Sequence, residues 1–372
     1  MKVTIHKLFE YLLETTSAAP EAVLGLSLAR PPVLGDFLSD LDPDLPLDWN
    51  GVSFRGLPRL RAQVIGRAGL DGRCNAEDVL ITAGAAEANY LVLRQLLRPG
   101  DEMVIEAPGW PQAGVLARAM GIVTREVVRD EAQGWALPLD ALEAAVGPAT
   151  RLIFLTNPNN PTGALLTAAE LHRIAGIADR VGAYVLVDEV YAGLEWDRPR
   201  APSMAGIYPR GITTGSVSKA LGLQGLRTGW LICPDRDLIM DAVILRENSS
   251  EIMNILGEVI AEVALRDDRY AAGIARARAE GAANLAVLDA FIAGQPRLAW
   301  VPPEAGLIGL ARLEGSEAEA LARRLLAPPY RTFVMPGSAY GCPAHLRLGV
   351  GGGAEVRLAE GLSRLAAALD AG

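Results

Sequence analysis

The sequence contains few residues of two kinds that often build reactive sites, cysteine and histidine. The three cysteines lie far apart, at Cys74, Cys233 and Cys342. Because they lack CxxC spacing, they predict reduced thiols in a cytoplasmic protein rather than a disulfide framework. The three histidines are equally scattered, at His6, His172 and His345. We therefore expect no metal site and no hydrolase that depends on a catalytic histidine.

Long apolar runs and clusters of basic residues are also missing from the sequence. No apolar run approaches the roughly 20 residues that a membrane-spanning helix needs. The segment Met1–Leu28 is expected to form an amphipathic helix, and it lacks the apolar core of a signal peptide. The net charge is -9 without basic clusters, so neither nucleic acid nor membrane is an expected partner. The 372 residues, half of them hydrophobic, suffice for two domains with their own cores.

Short β-branched runs alternate with longer helical patterns over the first two thirds of the chain. This alternation is typical of β-α units on a mainly parallel sheet. Seven strands are predicted, at Val79–Thr82, Met103–Glu106, Ile122–Val127, Arg151–Leu155, Tyr184–Val187, Gly211–Ser216 and Thr228–Cys233. The clearest helices between them are Ala85–Leu97, Pro111–Met120 and Thr167–Val181.

The pattern changes after about residue 235. A long helix is predicted over Arg269–Ala293, and short strands then mix with helices, which is typical of a smaller α+β domain. These strands are predicted at Leu298–Val301, Gly306–Leu313, Thr332–Met335 and His345–Leu348, and the helices at Ser316–Leu326 and Ala354–Ala368. We predict a large domain over residues 40–280 and a small domain built from residues 1–39 and 281–372.

The segment from Ser216 to Arg227, S-V-S-K-A-L-G-L-Q-G-L-R, is the most informative part of the sequence. Lys219 follows a predicted strand, where open α/β sheets bind ligands, and burial beside another cation frees a lysine amine for Schiff-base chemistry. The hydroxyls of Ser216 and Ser218 and the guanidinium of Arg227 suit a phosphate group. Together these features suggest pyridoxal 5'-phosphate (PLP). For such a motif in isolation, a surface lysine and a salt-bridged arginine would be the better interpretation.

Two further turns follow predicted strands. At Gly84 the chain enters a helix whose first amides, those of Ala85 and Ala86, are expected to approach an anion, although glycine at such a turn often serves packing only. The segment Asn157–Gly163, N-P-N-N-P-T-G, contains two prolines and a closing glycine. These restrict the backbone and would hold Asn160 rigidly, whereas N-P alone would indicate an ordinary turn.

Four other residues are candidates for the same site. Asp188 ends an apolar strand and would keep a pyridine nitrogen protonated, with a helix N-cap as the alternative. Tyr191, three residues later, would donate to a phenolic oxygen of the cofactor. Trp110 would lie against a flat ring or merely anchor the start of a helix. Arg347, flanked by apolar residues, would clamp a carboxylate or form an internal salt bridge.

These motifs together resemble the fold-type I PLP enzymes, and specifically the class I/II aminotransferase family. The resemblance covers nearly the whole chain, with six or more motifs in family order. They are G-L-P-R-L-R from Gly56, the Gly84 turn, P-G-D-E from Pro99, N-P-N-N-P-T-G, D-E-V-Y, S-V-S-K with Arg227, M-P-G-x-x-Y-G from Met335 and the final L-R-L. The implied fold is an α/β large domain with a mostly parallel central sheet flanked by helices, plus a smaller α+β domain.

The resemblance also implies a role for each candidate. Lys219 would form the Schiff base, Asp188 would pair with the pyridine nitrogen, and Arg347 would bind the substrate α-carboxylate. Tyr191 and Asn160 would contact the ring oxygen. The implied cofactor-binding residues are Lys219, Gly84, Ala85, Ala86, Trp110, Asn160, Asp188, Tyr191, Ser216, Ser218 and Arg227. The implied substrate-binding residues are Arg347, Asn160 and Ala29, with Arg30 nearby favouring a polar or acidic side chain.

Two departures from the family pattern leave the reaction open. Gly51 stands where the family usually has a phosphate-contacting tyrosine from the partner subunit, and Ser53, Arg55 or Asn254 are candidates to replace it. The early L-x-x-G-x-P element has Ala29 in place of glycine.

The segment around Gly51 also resembles capreomycidine-synthase-like members, which eliminate and cyclise. We expect a homodimer that transfers amino groups between an α-amino acid and a 2-oxo acid. A PLP-dependent lyase or cyclase is the alternative, and a non-catalytic regulator of the same fold is a third possibility.

Overall fold

The computed structural model describes residues 2–48, 53–315, 318–352 and 357–371. Its strands are β1 Ala22–Val23, β2 Val79–Thr82, β3 Glu102–Ala107, β4 Val123–Val128, β5 Thr150–Thr156, β6 Tyr184–Asp188, β7 Gly211–Ser216, β8 Gly229–Ile232, β9 Leu298–Trp300, β10 Ile308–Leu313, β11 Thr332–Phe333, β12 Met335–Pro336 and β13 His345–Gly349. Its α-helices are α1 Lys7–Ala18, α2 Pro58–Arg67, α3 Ala85–Leu96, α4 Gln112–Met120, α5 Leu139–Ala145, α6 Ala168–Asp179, α7 Arg236–Glu247, α8 Ile255–Ala264, α9 Asp267–Ala293, α10 Ala318–Leu326 and α11 Leu358–Asp370.

A seven-stranded sheet in the order β2-β8-β7-β6-β5-β3-β4 forms the centre of the larger unit. Strand β8 is antiparallel to its two neighbours, and the other pairs are parallel. All seven strands predicted between residues 79 and 233 belong to this sheet, which confirms the predicted fold class.

Alternation along the central strands explains why both faces of this sheet are covered. On β5, Leu152 and Phe154 belong to an apolar cluster with α3, α4 and α7. Ile153 and Leu155 belong to a second cluster with α5 and α6. Side chains of successive strand residues point to opposite faces, so a continuous apolar strand requires helices on both sides. The carboxyl ends of the parallel strands are left as the open edge where ligands bind.

The second unit contains an antiparallel sheet in the order β12-β13-β10-β9. A separate parallel pair joins β1 to β11, so the N-terminal segment packs with the C-terminal part of the chain. The domain boundary predicted at residue 280 falls inside α9 and stays a prediction. The predicted helix start at Ser316 lies outside the described residues. No helix within the described ranges is long and apolar enough to cross a membrane.

The prediction of one helix over Met1–Leu28 was wrong. Helix α1 is shorter because Ala19, which follows its last residue, has a left-handed conformation with φ of 46° and precedes Pro20. Proline cannot continue a helix and disfavours helical geometry in the residue before it. The chain then pairs as β1 and continues without regular structure through Gly25 and Ser27 towards the site.

Candidate active site

Lys219 follows β7 and is linked to the N-terminal segment in two ways. Its carbonyl oxygen accepts a hydrogen bond from the Ala29 amide at 3.0 Å, and its Nζ donates to the Ser27 hydroxyl at 3.4 Å. Although part of the side chain remains accessible, protein atoms surround it closely. This burial lowers the pKa of the amine to about 8, with help from Arg347 and Arg227 and against Asp188. The site therefore holds a nucleophilic amine.

The lowered pKa of Lys219 predicts how the apoprotein reacts with amine reagents. Labelling of Lys219 should rise with pH to a midpoint near 8. At pH 7 its unprotonated fraction should exceed that of an ordinary lysine by about 300-fold, since each pKa unit is a factor of ten. Labelling rates followed by peptide mass spectrometry, with a free lysine derivative as the control, would measure this. A midpoint near that of the free derivative would contradict the prediction.

Asp188 ends β6 and is buried beside this amine. Its Oδ2 accepts from Asn89 Nδ2 at 2.9 Å, and its Oδ1 accepts from the Val190 amide at 3.2 Å. Burial raises the pKa of the carboxyl to about 6, and the hydrogen bonds from Asn89 and Val190 and the charge of Lys219 oppose that rise. The chain makes a turn after Asp188 rather than an α-helix, so the N-cap alternative was wrong. At neutral pH the carboxyl is mainly ionised.

Arg347 lies on β13 and is almost completely buried. Its Nη1 donates to the Tyr340 hydroxyl at 2.6 Å and to Asn160 Oδ1 at 3.2 Å. Its Nη2 donates to the Gly25 carbonyl at 2.8 Å, while its Nε has no partner. Within residues 2–48, 53–315, 318–352 and 357–371 no carboxylate forms an ion pair with Arg347, so the internal salt bridge considered from the sequence is absent there.

Tyr191 and Asn160 lie near Arg347. Both are buried, and Asn160 bonds to Arg347. The Tyr191 hydroxyl has no hydrogen-bond partner of good geometry, although Ser27 is near enough to lower its pKa. Burial, the larger effect, raises the pKa of this phenol. A buried hydroxyl without a partner is costly and points to a ligand that would satisfy it.

The turn between β2 and α3 brings Gly84 next to Arg227. Gly84 has φ of 86°, a conformation that other residues rarely adopt, so glycine is required there. A Cβ atom at this position would lie 2.7 Å from Arg227 Nη2. Ala85 and Ala86 are the first two residues of α3, where amides have no acceptor within the helix. Arg227 donates to the carbonyls of Ala83 and Gln224, both at 3.2 Å, and is exposed. These groups can bind an anion.

The remaining predicted residues lie on different elements, and two of them line separate cavities. Ser216 ends β7, and its Oγ accepts from the Ser218 amide at 3.3 Å. Ala29 lines a cavity of about 470 Å³ together with Arg227. Trp110 is half-buried and, with Tyr340, lines another cavity of about 470 Å³ beside the carboxyl end of β3.

The candidates to replace the missing tyrosine have other contacts. Arg55 pairs with Glu77 at 2.6 Å, and Asn254 caps the start of α8. Ser53 Oγ accepts from the Arg55 amide at 3.0 Å. Gly51 lies outside the described residues. The structure of this chain alone therefore leaves the replacement of the tyrosine a prediction.

Sequence reasoning missed Asn89, Ser27 and Tyr340. Asn89 stands out as a polar residue on a helix face whose other buried members, including Ala88 and Leu91, are apolar. Tyr340 belongs to a motif that the sequence analysis quoted without assigning it a role. Ser27 has no signal of its own, because its contact with Lys219 joins segments 192 residues apart.

A sequence model of the family described as Aminotransferase class I and II matches residues 50–365. The chain belongs to this family. It is 30% identical over 332 residues to an aspartate aminotransferase of Streptomyces avermitilis, covering 83% of this chain and 79% of that protein. It is also 30% identical over 323 residues to a capreomycidine synthase of Streptomyces vinaceus, covering 84% and 81%.

Solved structures give the same result. A PLP-dependent aminotransferase from Streptococcus suis superposes with a TM-score of 0.90 at 26% identity, covering 100% of this chain and 99% of the other. The PLP-dependent cyclase OrfR superposes with a TM-score of 0.88 at 25% identity, covering 100% and 98%. The chain is therefore an enzyme of a PLP-dependent family, and its cofactor is PLP.

The residues present fit this cofactor. The unpartnered Tyr191 hydroxyl suits an oxygen acceptor, and the space that a Cβ at Gly84 would fill lies beside the cation of Arg227. Lys219 would provide the amine and Asp188 the carboxylate. Among the described residues, no group of three or more acidic, histidine or cysteine side chains is arranged to hold a metal ion.

Proposed function

We propose that this enzyme transfers the amino group of an α-amino acid to a 2-oxo acid. The environment of Arg347 gives this proposal its strongest support. It is a buried guanidinium bonded to Asn160, with no carboxylate partner in the described part of the chain. Such a cation suits the α-carboxylate that both substrates carry. Its charge also lowers the pKa of Lys219, which requires the two groups to lie near each other.

Lys219 is assigned two tasks, to hold PLP covalently and then to move a proton. Once released, its Nζ would remove the proton from the substrate Cα, because its pKa of about 8 suits a base at neutral pH. Asp188 would keep the pyridine nitrogen protonated, while Tyr191 and Asn160 would contact the ring oxygen. When bound, PLP stabilises the negative charge that develops on the substrate carbon.

The phosphate of the cofactor is assigned to the turn at the start of α3. The amides of Ala85 and Ala86, with the helix dipole behind them, would donate to phosphate oxygens. Arg227 would add a planar cation, and the hydroxyls of Ser216 and Ser218 would complete the set. Trp110 would lie against the ring.

Arg30 and Ala29 are the residues proposed to lie near the substrate side chain. Arg30 forms an ion pair with Glu280 at 3.1 Å, so it is not the unpaired cation that an acidic side chain would favour. Ala29 lines a cavity together with Arg227 and is assigned, like Arg30, to the substrate side chain. We propose that the substrate has a polar side chain whose far end lies near the Arg30–Glu280 ion pair.

Elimination followed by cyclisation is the second candidate function. The similarity to capreomycidine synthase equals in identity that to the aspartate aminotransferase, and the similarity to OrfR nearly equals that to the S. suis protein. Both reactions need the same amine, carboxylate and clamp, because both begin with proton removal from Cα. Lys219, Asp188 and Arg347 therefore do not distinguish them.

A single-turnover experiment with the holoenzyme distinguishes the two reactions. A panel of amino acids is added without any oxo acid, and the absorbance of the cofactor is followed together with ammonia and product mass. Transamination predicts stoichiometric conversion to pyridoxamine phosphate and one equivalent of 2-oxo acid. Repeated release of ammonia or of a cyclised product, with the original spectrum restored, would contradict it and support the lyase.

A homodimer with the site near its interface is also proposed. Large apolar side chains are exposed on the segment from Val33 to Leu47, at Phe54 and on α7, including Leu38 and Ile244. Asp40 anchors this segment to α9 through ion pairs with Arg266 and Arg269. A segment with several exposed apolar side chains is typical of a protein interface. The segment Glu247–Asn254, which matches the region of the family that usually faces the partner subunit, connects α7 to α8.

Replacing Leu38 with aspartate should weaken this dimer by at least about tenfold, since a buried carboxylate replaces apolar contact. The matched control is Leu13→Asp, because Leu13 is 63% exposed and Leu38 60%, yet Leu13 lies on α1. Sedimentation over a concentration series measures both. Equal weakening by the two variants, or a wild-type monomer with full PLP occupancy, would contradict the proposed interface.

A further inference from the structure

Asn89 is a fully buried polar side chain for which the proposed reaction has no role. We propose that Asn89, oriented by Gln112 and Thr214, is the positioning residue that holds the Asp188 carboxylate in place and keeps it an acceptor towards the cofactor ring. This inference rests on the proposed pairing of Asp188 with the pyridine nitrogen. It concerns residues of α3, α4 and β7 rather than those that contact the cofactor.

The side chain of Asn89 connects three elements through hydrogen bonds. Its Nδ2 donates to Asp188 Oδ2 at 2.9 Å and to Gln112 Oε1 at 3.4 Å. Its Oδ1 accepts from the Thr214 hydroxyl at 2.9 Å. Asn89 is 1% exposed and Thr214 0%, so solvent does not compete for the bonds of Asn89 to Asp188 and Thr214, whereas Gln112 is partly exposed. Asn89 thus joins Asp188 to the strand that leads to Lys219 and to the helix that follows Trp110.

The direction of each bond in this network follows from one backbone carbonyl. Gln112 Nε2 donates to the Ala86 carbonyl at 2.7 Å, and a carbonyl only accepts. The Oε1 atom of Gln112 must therefore face Asn89, which fixes the NH₂ group of Asn89 on that side. The same NH₂ group faces Asp188, so Asp188 always meets a donor. The Thr214 hydroxyl satisfies the remaining oxygen of Asn89.

A fixed donor at Asp188 has an electrostatic consequence. Burial favours the neutral carboxyl and raises its pKa to about 6, whereas the bond from Asn89 favours the ionised form. An amide that was free to rotate would present its oxygen to a protonated carboxyl as readily as its NH₂ to an ionised one. The network removes the first option. The Asp188 carboxylate is therefore kept in the form that accepts a hydrogen bond from the protonated ring nitrogen.

The test uses holoenzyme loaded with PLP that carries ¹⁵N in its ring. The ring-nitrogen chemical shift is followed between about pH 6 and 9, where a partly ionised group titrates. Wild-type enzyme should show a protonated ring nitrogen throughout, and Asn89→Leu should lose that state within the range. Binding of PLP to Asn89→Leu should weaken by about tenfold, as expected when one hydrogen bond to a charged group is removed.

The matched control is Thr213→Val, compared with Thr214→Val. Both threonines are buried on β7, but Thr213 bonds to Glu189 on the opposite face. Thr214→Val should shift the ring titration in the direction of Asn89→Leu, and Thr213→Val should match wild type. An unchanged titration in Asn89→Leu, or equal shifts in both threonine variants, would overturn the proposal.

Two further variants separate this inference from the proposed function. If Asp188→Ala leaves the ring nitrogen protonated, the assignment of Asp188 fails and the role of Asn89 fails with it. If Asp188→Ala titrates while Asn89→Leu does not, only the present inference fails. Should Asn89→Leu not fold, Gln112→Leu serves instead, because it removes the acceptor that holds the NH₂ group of Asn89 on that side. An unchanged titration in Gln112→Leu would equally overturn the proposal.

Discussion

Replacing Lys219 with alanine is expected to abolish covalently held PLP and to reduce turnover by at least about 10⁴-fold, because the nucleophile and the proton-transferring base are lost together. Borohydride reduction followed by peptide mapping measures the first effect, and single-turnover absorbance the second. The chain contains only two other lysines, Lys2 and Lys7, so a single labelled peptide is expected from the wild type.

Lys7→Ala is the control for this experiment, since Lys7 lies on α1 and contacts Glu319. It should retain the labelled peptide and the turnover of the wild type. Reducible PLP at an unchanged level in Lys219→Ala would remove Lys219 from the proposed role. Loss of label in both variants would show that the effect is not specific to the site.

Replacing Arg347 with alanine is expected to lower kcat/KM for amino acids by at least about a hundredfold, or about 3 kcal/mol. The variant loses the carboxylate clamp and also leaves Asn160, Tyr340 and the Gly25 carbonyl without their donor. Arg347→Lys should recover only part of the loss, because an ammonium cannot form the same paired contacts.

A substrate without a carboxylate separates recognition from structural damage in this prediction. A simple primary amine should react with Arg347→Ala about as fast as with the wild type, since it makes no use of the clamp. Steady-state rates for both substrates give the comparison. Equal losses for the amine and the amino acid would indicate a damaged site and contradict the assignment.

The seven strands of the large sheet were predictable because each is a short run rich in apolar or β-branched residues between turn-forming residues. The parallel order of the central strands places their polar ends together. This brought Lys219, Asp188 and Asn160 to one edge from sequence alone. Residues that act through distant contacts were not predictable. Ser27 and Gly25 reach the site only because β1 pairs with β11, and nothing local in the sequence signals that pairing.

Asn89 illustrates a different limit. Its position on a buried helix face is readable from the pattern, since a polar residue interrupts an apolar stripe. Its partners are on three other elements, and the direction of its hydrogen bonds depends on a carbonyl of its own helix. The length of the N-terminal helix was overestimated although a local signal was present. The amphipathic pattern was given more weight than Pro20, which ends the helix.

The segment from Gly25 to Ala29 connects Arg347 and Lys219, the groups proposed to bind and to react with the substrate. Gly25 holds Arg347, and Ser27 and Ala29 hold Lys219. The two residues from Gly25 to Ser27 span at most about 7 Å. The covalent geometry of this segment, rather than the packing of the two larger units, therefore limits the separation of Arg347 and Lys219. Inserting a single residue here would change the length of substrate backbone that the enzyme accepts.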